Sequence, residues 1–257
     1  MTRTQLLTSL RSLLVYHRSC GIDYYHDTEQ LQSGLKALDE LSDNEPIRKA
    51  SPAKQMRQSV SKTAQTAGPK RIGVDELARE INACRICSLH ESRKISTAGR
   101  GGSKPRLLIV GDWLLHHEKI QGQELFGIEQ DLMLGNMIKA LSLGPDDVFI
   151  TNLIKCSVEP SYRAQSEHLA ACVSYLKQQI ALLMPKVICT MGTVASQVLL
   201  DTDRSLIGLR GTFHQYVPAD GVGIPVMPTF HPTYLFKNPE MKKPTWSDLQ
   251  AIRKLLD

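Results

Sequence analysis

The chain has 257 residues and a formal net charge of +5, from 31 Lys and Arg against 26 Asp and Glu. Hydrophobic residues make up 42% and charged residues 22%, the balance of a soluble globular protein large enough for one sizeable core. No apolar run is long enough for a transmembrane helix, and the mild positive charge admits nucleic acid as a partner without requiring it.

The N-terminus leads into an amphipathic stretch, not the apolar core of a signal peptide, so a cytoplasmic location is expected, with no membrane contact. Leu6, Leu7, Leu10, Leu13 and Leu14 recur at helical spacing, and Gly21 stops the run. A second helix is predicted from Asp27, an N-cap with Gln30 three residues on, to Leu41. Residues 1–43 therefore read as a small helical extension without visible chemistry, packing on the core or on a protein partner. From 44 to 73 the apolar residues thin out. Arg48, Lys49, Lys54, Arg57, Lys62, Lys70 and Arg71 face one acid, Glu45. This composition predicts a disordered basic linker, either a solvated spacer or a tether held near phosphate backbones.

Residues 74–257 form a third region with α/β character. Asp75 is the expected cap of a short helix ending near Ala83. Four apolar runs, Leu107–Val110, Val148–Asn152, Val187–Met191 and Val226–Phe230, read as buried strands. Helical stretches near 130–141, 167–184 and 193–200 separate them, which implies parallel pairing and right-handed crossovers. In such sheets ligands bind at the carboxyl ends of strands. Four segments therefore converge on one candidate site: Gly111-Asp112, Asn152 to Cys156, Gly192-Thr193 and His231-Pro232.

Six cysteines in a chain expected in the cytoplasm favour metal or redox use over disulfides. Cys84 and Cys87 form a Cys-x-x-Cys pair, and Cys156 and Cys172 follow far downstream. If the fold gathers all four, all-sulfur ligation suits an iron–sulfur cluster or zinc; otherwise they are unrelated buried thiols. Cys20 and Cys189 read as ordinary small hydrophobes.

With these motifs in order, residues 75–240 resemble the family 4 uracil-DNA glycosylases, the iron–sulfur branch of that superfamily. The resemblance is carried by Cys84-Arg85-Ile86-Cys87-Ser88-Leu89 with Arg93, and by Thr151-Asn152-Leu153-Ile154-Lys155-Cys156. It continues through Gly192-Thr193-Val194-Ala195, Leu209-Arg210-Gly211 and His231-Pro232-Thr233-Tyr234-Leu235. It implies a three-layer α/β/α fold on a four-stranded parallel sheet, and a structural [4Fe-4S] cluster on Cys84, Cys87, Cys156 and Cys172, with zinc as the alternative. It also implies hydrolysis of the N-glycosidic bond of deoxyuridine in DNA, by a protein expected to be a monomer.

The resemblance assigns roles residue by residue. His231 would donate a hydrogen bond to uracil O2, as against a plain turn histidine. Asn152 would hold the uracil edge, as against an Asx turn. Phe126 would stack on the base, as against a core phenylalanine. Leu235 would fill the gap left by the flipped base. Arg163, Arg210 and Lys237 would contact phosphates, as against solvated surface charge. Asp112 would orient water or the sugar. One segment departs from the family's Gly-Glu-Ala-Pro-Gly loop and reads Gly111-Asp112-Trp113-Leu114-Leu115-His116-His117-Glu118. Trp113 could then occupy the pocket, and His116, His117 or Glu118 could substitute as acid–base groups. The departure keeps open a second function, that of a catalytically inactive iron–sulfur scaffold binding DNA in a replication or repair complex.

Overall fold

The computed structural model describes residues 73–116, 124–218 and 221–257. The expected N-terminal helices, the basic linker, His117 and Glu118 lie outside the described residues.

Helix α1 (Val74–Ala83) is followed by the short α2 (Leu89–Ser92). Gly73 occupies the N-cap of α1 and Asp75 lies in its first turn, where its charge favours the positive helix end. Next come β1 (Arg100–Gly101), β2 (Leu107–Gly111), α3 (Ile128–Ala140) and β3 (Val148–Asn152). Then follow α4 (Ser166–Leu183), β4 (Val187–Met191), α5 (Thr193–Leu200) and α6 (Leu206–Leu209). The chain closes with β5 (His214–Tyr216), β6 (Ile224–Thr229), α7 (Pro232–Lys237) and α8 (Lys242–Leu256).

The four strands expected from the apolar runs are present, but the sheet is six-stranded and mixed, in the order β1-β3-β2-β4-β6-β5. β3, β2, β4 and β6 pair parallel, while β1 and β5 add antiparallel edges of two and three residues. Edge strands this short carry too few side chains to leave an alternating signature. Arg100 and Gly101 lie inside what reads as a Gly-rich basic loop.

Helices cover both faces of the sheet. Leu107 and Ile109 of β2 pack with Leu134 of α3 and Leu249, Ile252 and Leu256 of α8. Leu108 and Val110 point the other way, onto Leu176, Ile180 and Leu183 of α4 and Leu199 of α5. All five residues of β2 are buried, which is why its sequence is continuously apolar. Each such side chain contributes roughly 1.5–3 kcal/mol by leaving water. Among the described residues no helix is long and apolar enough to cross a membrane.

The parallel register aligns the strand ends. Gly111 lies beside both Asn152 and Met191, and Met191 beside Thr229. Asn152, Asp112, Gly192 and His231 thus lie together at the carboxyl ends of the parallel strands.

Candidate active site

Asn152 ends β3 fully buried. Its Nδ2 donates to the Leu125 carbonyl at 2.5 Å. The Leu125–Phe126 turn is itself fixed, because the Asp131 carboxylate accepts the N–H groups of Leu125 and Phe126 at 2.9 and 3.0 Å. Arg100 pairs with Asp131 at 3.2 Å from the other side. A carbonyl can face only a donor, so this turn sets the Asn152 amide orientation and leaves Oδ1 as a buried acceptor with no partner in the protein. The side chain forms a hydrogen bond across the site, not the Asx turn that a strand end allows.

His231 is the N-cap of α7, and its Nδ1 accepts the Thr233 N–H at 3.2 Å. Burial holds the imidazole well below its ordinary range, at about 4, so the ring is neutral. With Nδ1 accepting, the single proton resides on Nε2, which is also buried and unpartnered. The Phe126 ring lies 4.6 Å from the His231 ring, tilted by 47°. Gly111 forms the floor: a β-carbon there would run into the Phe126 ring and sit 2.6 Å from Asn152 Oδ1. The structure therefore brings together an acceptor, a neutral donor and an aromatic face. Among the described residues, three buried side-chain polar atoms lack a partner; two are these, and the third is His116 Nδ1.

Asp112 stands apart from that trio. Its Oδ1 accepts the Ala195 N–H at 2.6 Å, and the Val194 N–H supports it as well. The carboxyl group packs against Gly192, whose φ of +126° and lack of Cβ make the room. Burial pushes the carboxyl up to about 7, against the pull of the two backbone N–H groups. Sequence reasoning gave Asp112 the task of orienting water or sugar; the structure ties its carboxylate to the first turn of α5.

Residues 111–116, the described part of the segment that departs from the family loop, run as an extended ribbon beside residues 153–158. Leu153 N–H donates to the Gly111 carbonyl at 2.8 Å, Val158 N–H to the Leu114 carbonyl at 2.9 Å and His116 N–H to the Val158 carbonyl at 2.8 Å. Trp113 and Leu115 pack on the apolar cluster that contains Cys87, Cys156 and Cys172, and Trp113 meets Tyr162 edge-on at 5.2 Å. Trp113 thus packs in the thiol region, with Tyr162 as its aromatic neighbour.

Cys84 caps the C-terminus of α1, Cys87 precedes α2, Cys156 follows β3 and Cys172 lies in α4. The four thiols are near enough for their charges to interact. Burial raises the Cys156 thiol and pushes Cys172 up to about 11, so the thiolates need a cation to persist. Two donors already point at the sulfurs: Arg93 Nη1 on Cys156 Sγ and the Lys155 backbone N–H on Cys172 Sγ, each at 3.5 Å. Among the described residues no three ligating groups close on one ion. N–H donors of this kind stabilise thiolates that ligate a metal. Cys189 is buried within β4 and its thiol is pushed up by burial, consistent with a core residue.

Two of the residues expected at DNA have internal partners. Arg210 places its guanidinium on Asp248 at 2.9 and 3.1 Å and on the Pro244 carbonyl at 2.7 Å, and it lies over the Phe230 ring. These internal partners take Nε and Nη2 of the guanidinium. Leu235 has 0% exposure and packs with Leu206 and Phe230, so it cannot enter a DNA stack. Its neighbours Tyr234 and Phe236 are exposed instead, Tyr234 stacking on Phe230 at 5.0 Å. Arg163 and Lys237 are exposed, and Arg163 donates to the carbonyls of Ser161 and Tyr162.

Sequence reasoning assigned no role to Asp131 or Lys155. A lysine inside the apolar run Leu153-Ile154-Lys155-Cys156 is the signal that a buried cation needed a partner. Its Nζ reaches Asn152 O, Thr151 Oγ1 and Gln179 Oε1.

Comparison with known proteins agrees with this geometry. Residues 98–250 match the family model of the uracil DNA glycosylase superfamily. A type-4 uracil-DNA glycosylase of Saccharolobus solfataricus is 30% identical over 187 residues, covering 71% of this chain and 86% of that protein. The type-4 uracil-DNA glycosylase of Archaeoglobus fulgidus is 28% identical over 186 residues, covering 71% and 92%. A type-5 uracil-DNA glycosylase of Pyrobaculum aerophilum matches less of the chain, 25% identical over 150 residues. The matched span takes in the orphaned pair on Asn152 and His231, and on this footing the chain belongs to the uracil-DNA glycosylase superfamily, in its type-4 branch.

Proposed function

We propose that the protein is a DNA-repair glycosylase that hydrolyses the N-glycosidic bond of uracil in DNA. The observation that carries this reading is the pair of unpartnered atoms, Asn152 Oδ1 and His231 Nε2–H, beside the Phe126 face. Uracil presents an N3–H donor and carbonyl acceptors on one edge. Oδ1 accepts N3–H and Nε2–H donates to O2. Cytosine has a bare N3, so its acceptor would face the Asn152 acceptor, and a buried like-to-like contact costs about 1–3 kcal/mol or more.

The base must leave the stack to reach this pocket. As the bond to the sugar breaks, negative charge gathers on the departing uracil and its O2. A neutral Nε2–H donor already in place stabilises that charge without reorganisation. The oxocarbenium-like sugar is a strong electrophile, so water needs placement more than deprotonation. Asp112 fits the part of a brace between the β2 end and α5. Phe236, in place of Leu235, is the exposed apolar side chain that can fill the gap in the duplex, and Arg163 and Lys237 are the phosphate contacts.

Cys84, Cys87, Cys156 and Cys172 would hold a [4Fe-4S] cluster, which when bound supplies a structural tie. The reading keeps a helical extension at 1–43, a basic linker at 44–73 and the catalytic region at 74–257, with DNA as substrate and a protein partner for the extension.

The commitment of Asp112 to α5 favours the second reading, an inactive DNA-binding scaffold. Single- and double-stranded oligonucleotides carrying deoxyuridine separate the two, with abasic sites as the readout and His231→Ala as control. Abasic product that depends on His231 supports the glycosylase. DNA binding without product overturns it in favour of the scaffold.

A further inference from the structure

Lys155 is 2% exposed. Its Nζ donates to the Asn152 carbonyl at 2.6 Å, to Thr151 Oγ1 at 2.8 Å and to Gln179 Oε1 at 2.6 Å. Burial pushes the Lys155 amine down to about 7, and the three acceptors match the three N–H bonds of its protonated form. The network closes on itself: the Thr151 hydroxyl donates to Gln179 Oε1 at 3.2 Å, and Gln179 Nε2 donates to the Ala98 carbonyl. The main chain of Lys155 is held as well, its N–H on Cys172 Sγ and its carbonyl receiving Thr97 N–H at 2.7 Å.

Asn152 is the last residue of β3, and its following peptide is held on one side by Leu153 N–H on the Gly111 carbonyl at 2.8 Å; β1 pairs only with Phe149 and Ile150, so no strand meets the Asn152 carbonyl on the other side. The Leu125 turn orients its amide from one side. The ammonium grips its carbonyl from the other, in a place closed to water. We propose that Lys155 is a positioning residue for the base site, fixing the Asn152 peptide and through it the direction of Oδ1. A purely space-filling lysine would not need three matched acceptors, and methionine of similar length would replace it without consequence. The inference rests on the glycosylase reading for its effect on rate, but not for its effect on geometry.

Lys155→Met is the test, read in the wild-type and the Asn152→Ala backgrounds. In the wild-type background kcat for deoxyuridine excision falls about tenfold or more with KM nearly unchanged, and in Asn152→Ala the same substitution changes kcat by less than about twofold. Gln179→Met loosens the far end of the ammonium more gently and serves if Lys155→Met does not fold. It is expected to lower kcat by a smaller factor, again only when Asn152 is present. Crystal structures of either variant should show Asn152 Oδ1 turned from its wild-type direction. Equal losses in both backgrounds, or an unmoved Asn152, would overturn the inference. If the wild-type protein leaves deoxyuridine intact, the glycosylase reading fails, and the Asn152 orientation then decides the inference alone.

Discussion

At the scale of single residues, proton positions decide the chemistry. His231 is neutral because its ring is buried, and its donor is Nε2 because Thr233 claims Nδ1. Removing it in His231→Ala should lower kcat by roughly 100- to 1,000-fold, the size found for a lost donor at a developing anion. His231 and Asp112 also oppose each other in the pH dependence of stability. Unfolded His231 takes a proton below about 6.5 that the folded ring refuses down to about 4, so its contribution is complete above that window and is lost as pH falls through it. Asp112 keeps its proton to about 7 when folded but only to 3.8 when unfolded, so its contribution is present at low pH and lost as pH rises through about 7. Asp112→Asn deletes the second trend alone. Urea unfolding from about pH 4 to 7 should show the variant gaining on the wild type as pH rises, by up to about 1.4 kcal/mol per pH unit. A constant gap would mean that Asp112 is ionised throughout.

At the scale of elements, Arg210 joins the α6–β5 connection to α8 through a carboxylate with 1% side-chain exposure. Asp248 also accepts the Thr229 hydroxyl at 2.6 Å, so this contact anchors the end of β6 just before His231. Breaking a buried pair from one side leaves the other charge without compensation. Arg210→Met should therefore cost about 3–5 kcal/mol in urea unfolding while leaving the salt dependence of DNA binding unchanged. Lys237→Ala should do the reverse, keeping stability and reducing the slope of log K against log salt by about 0.9. A salt slope that falls in Arg210→Met would restore the phosphate role.

At the scale of the whole molecule, the four thiols come from segments that are far apart in sequence: the end of α1, the start of α2, the ribbon after β3 and the middle of α4. Cys156→Ala is expected to remove the visible absorbance of the cluster. A loss of about 3 kcal/mol would lower the melting temperature by roughly 6–12 °C. A colourless wild-type protein holding zinc would replace the cluster assignment. The parallel centre of the sheet was legible because strands buried on both faces must be apolar throughout. The places of Asn152 and His231 at strand ends were legible from the polar residues that close each apolar run. Three features were not. The fate of Arg210 depends on Asp248, 38 residues away in sequence. The burial of Leu235 depends on how α7 lies against Phe230. The turning of Trp113 toward the thiols depends on a ribbon whose pairing partner follows a different strand. Each is set by tertiary neighbours that local pattern does not encode.

β6 contains Pro225 and Pro228. β5 pairs with β6 only as far as Val226, so no strand meets the buried far end of β6 on that side. The Thr229 carbonyl accepts Gly192 N–H, so backbone groups alternate toward β4 at 227 and 229 and toward the strandless side at 228. Proline at 228 therefore leaves no backbone N–H to go unpaired at this buried position without a strand neighbour, just before the site.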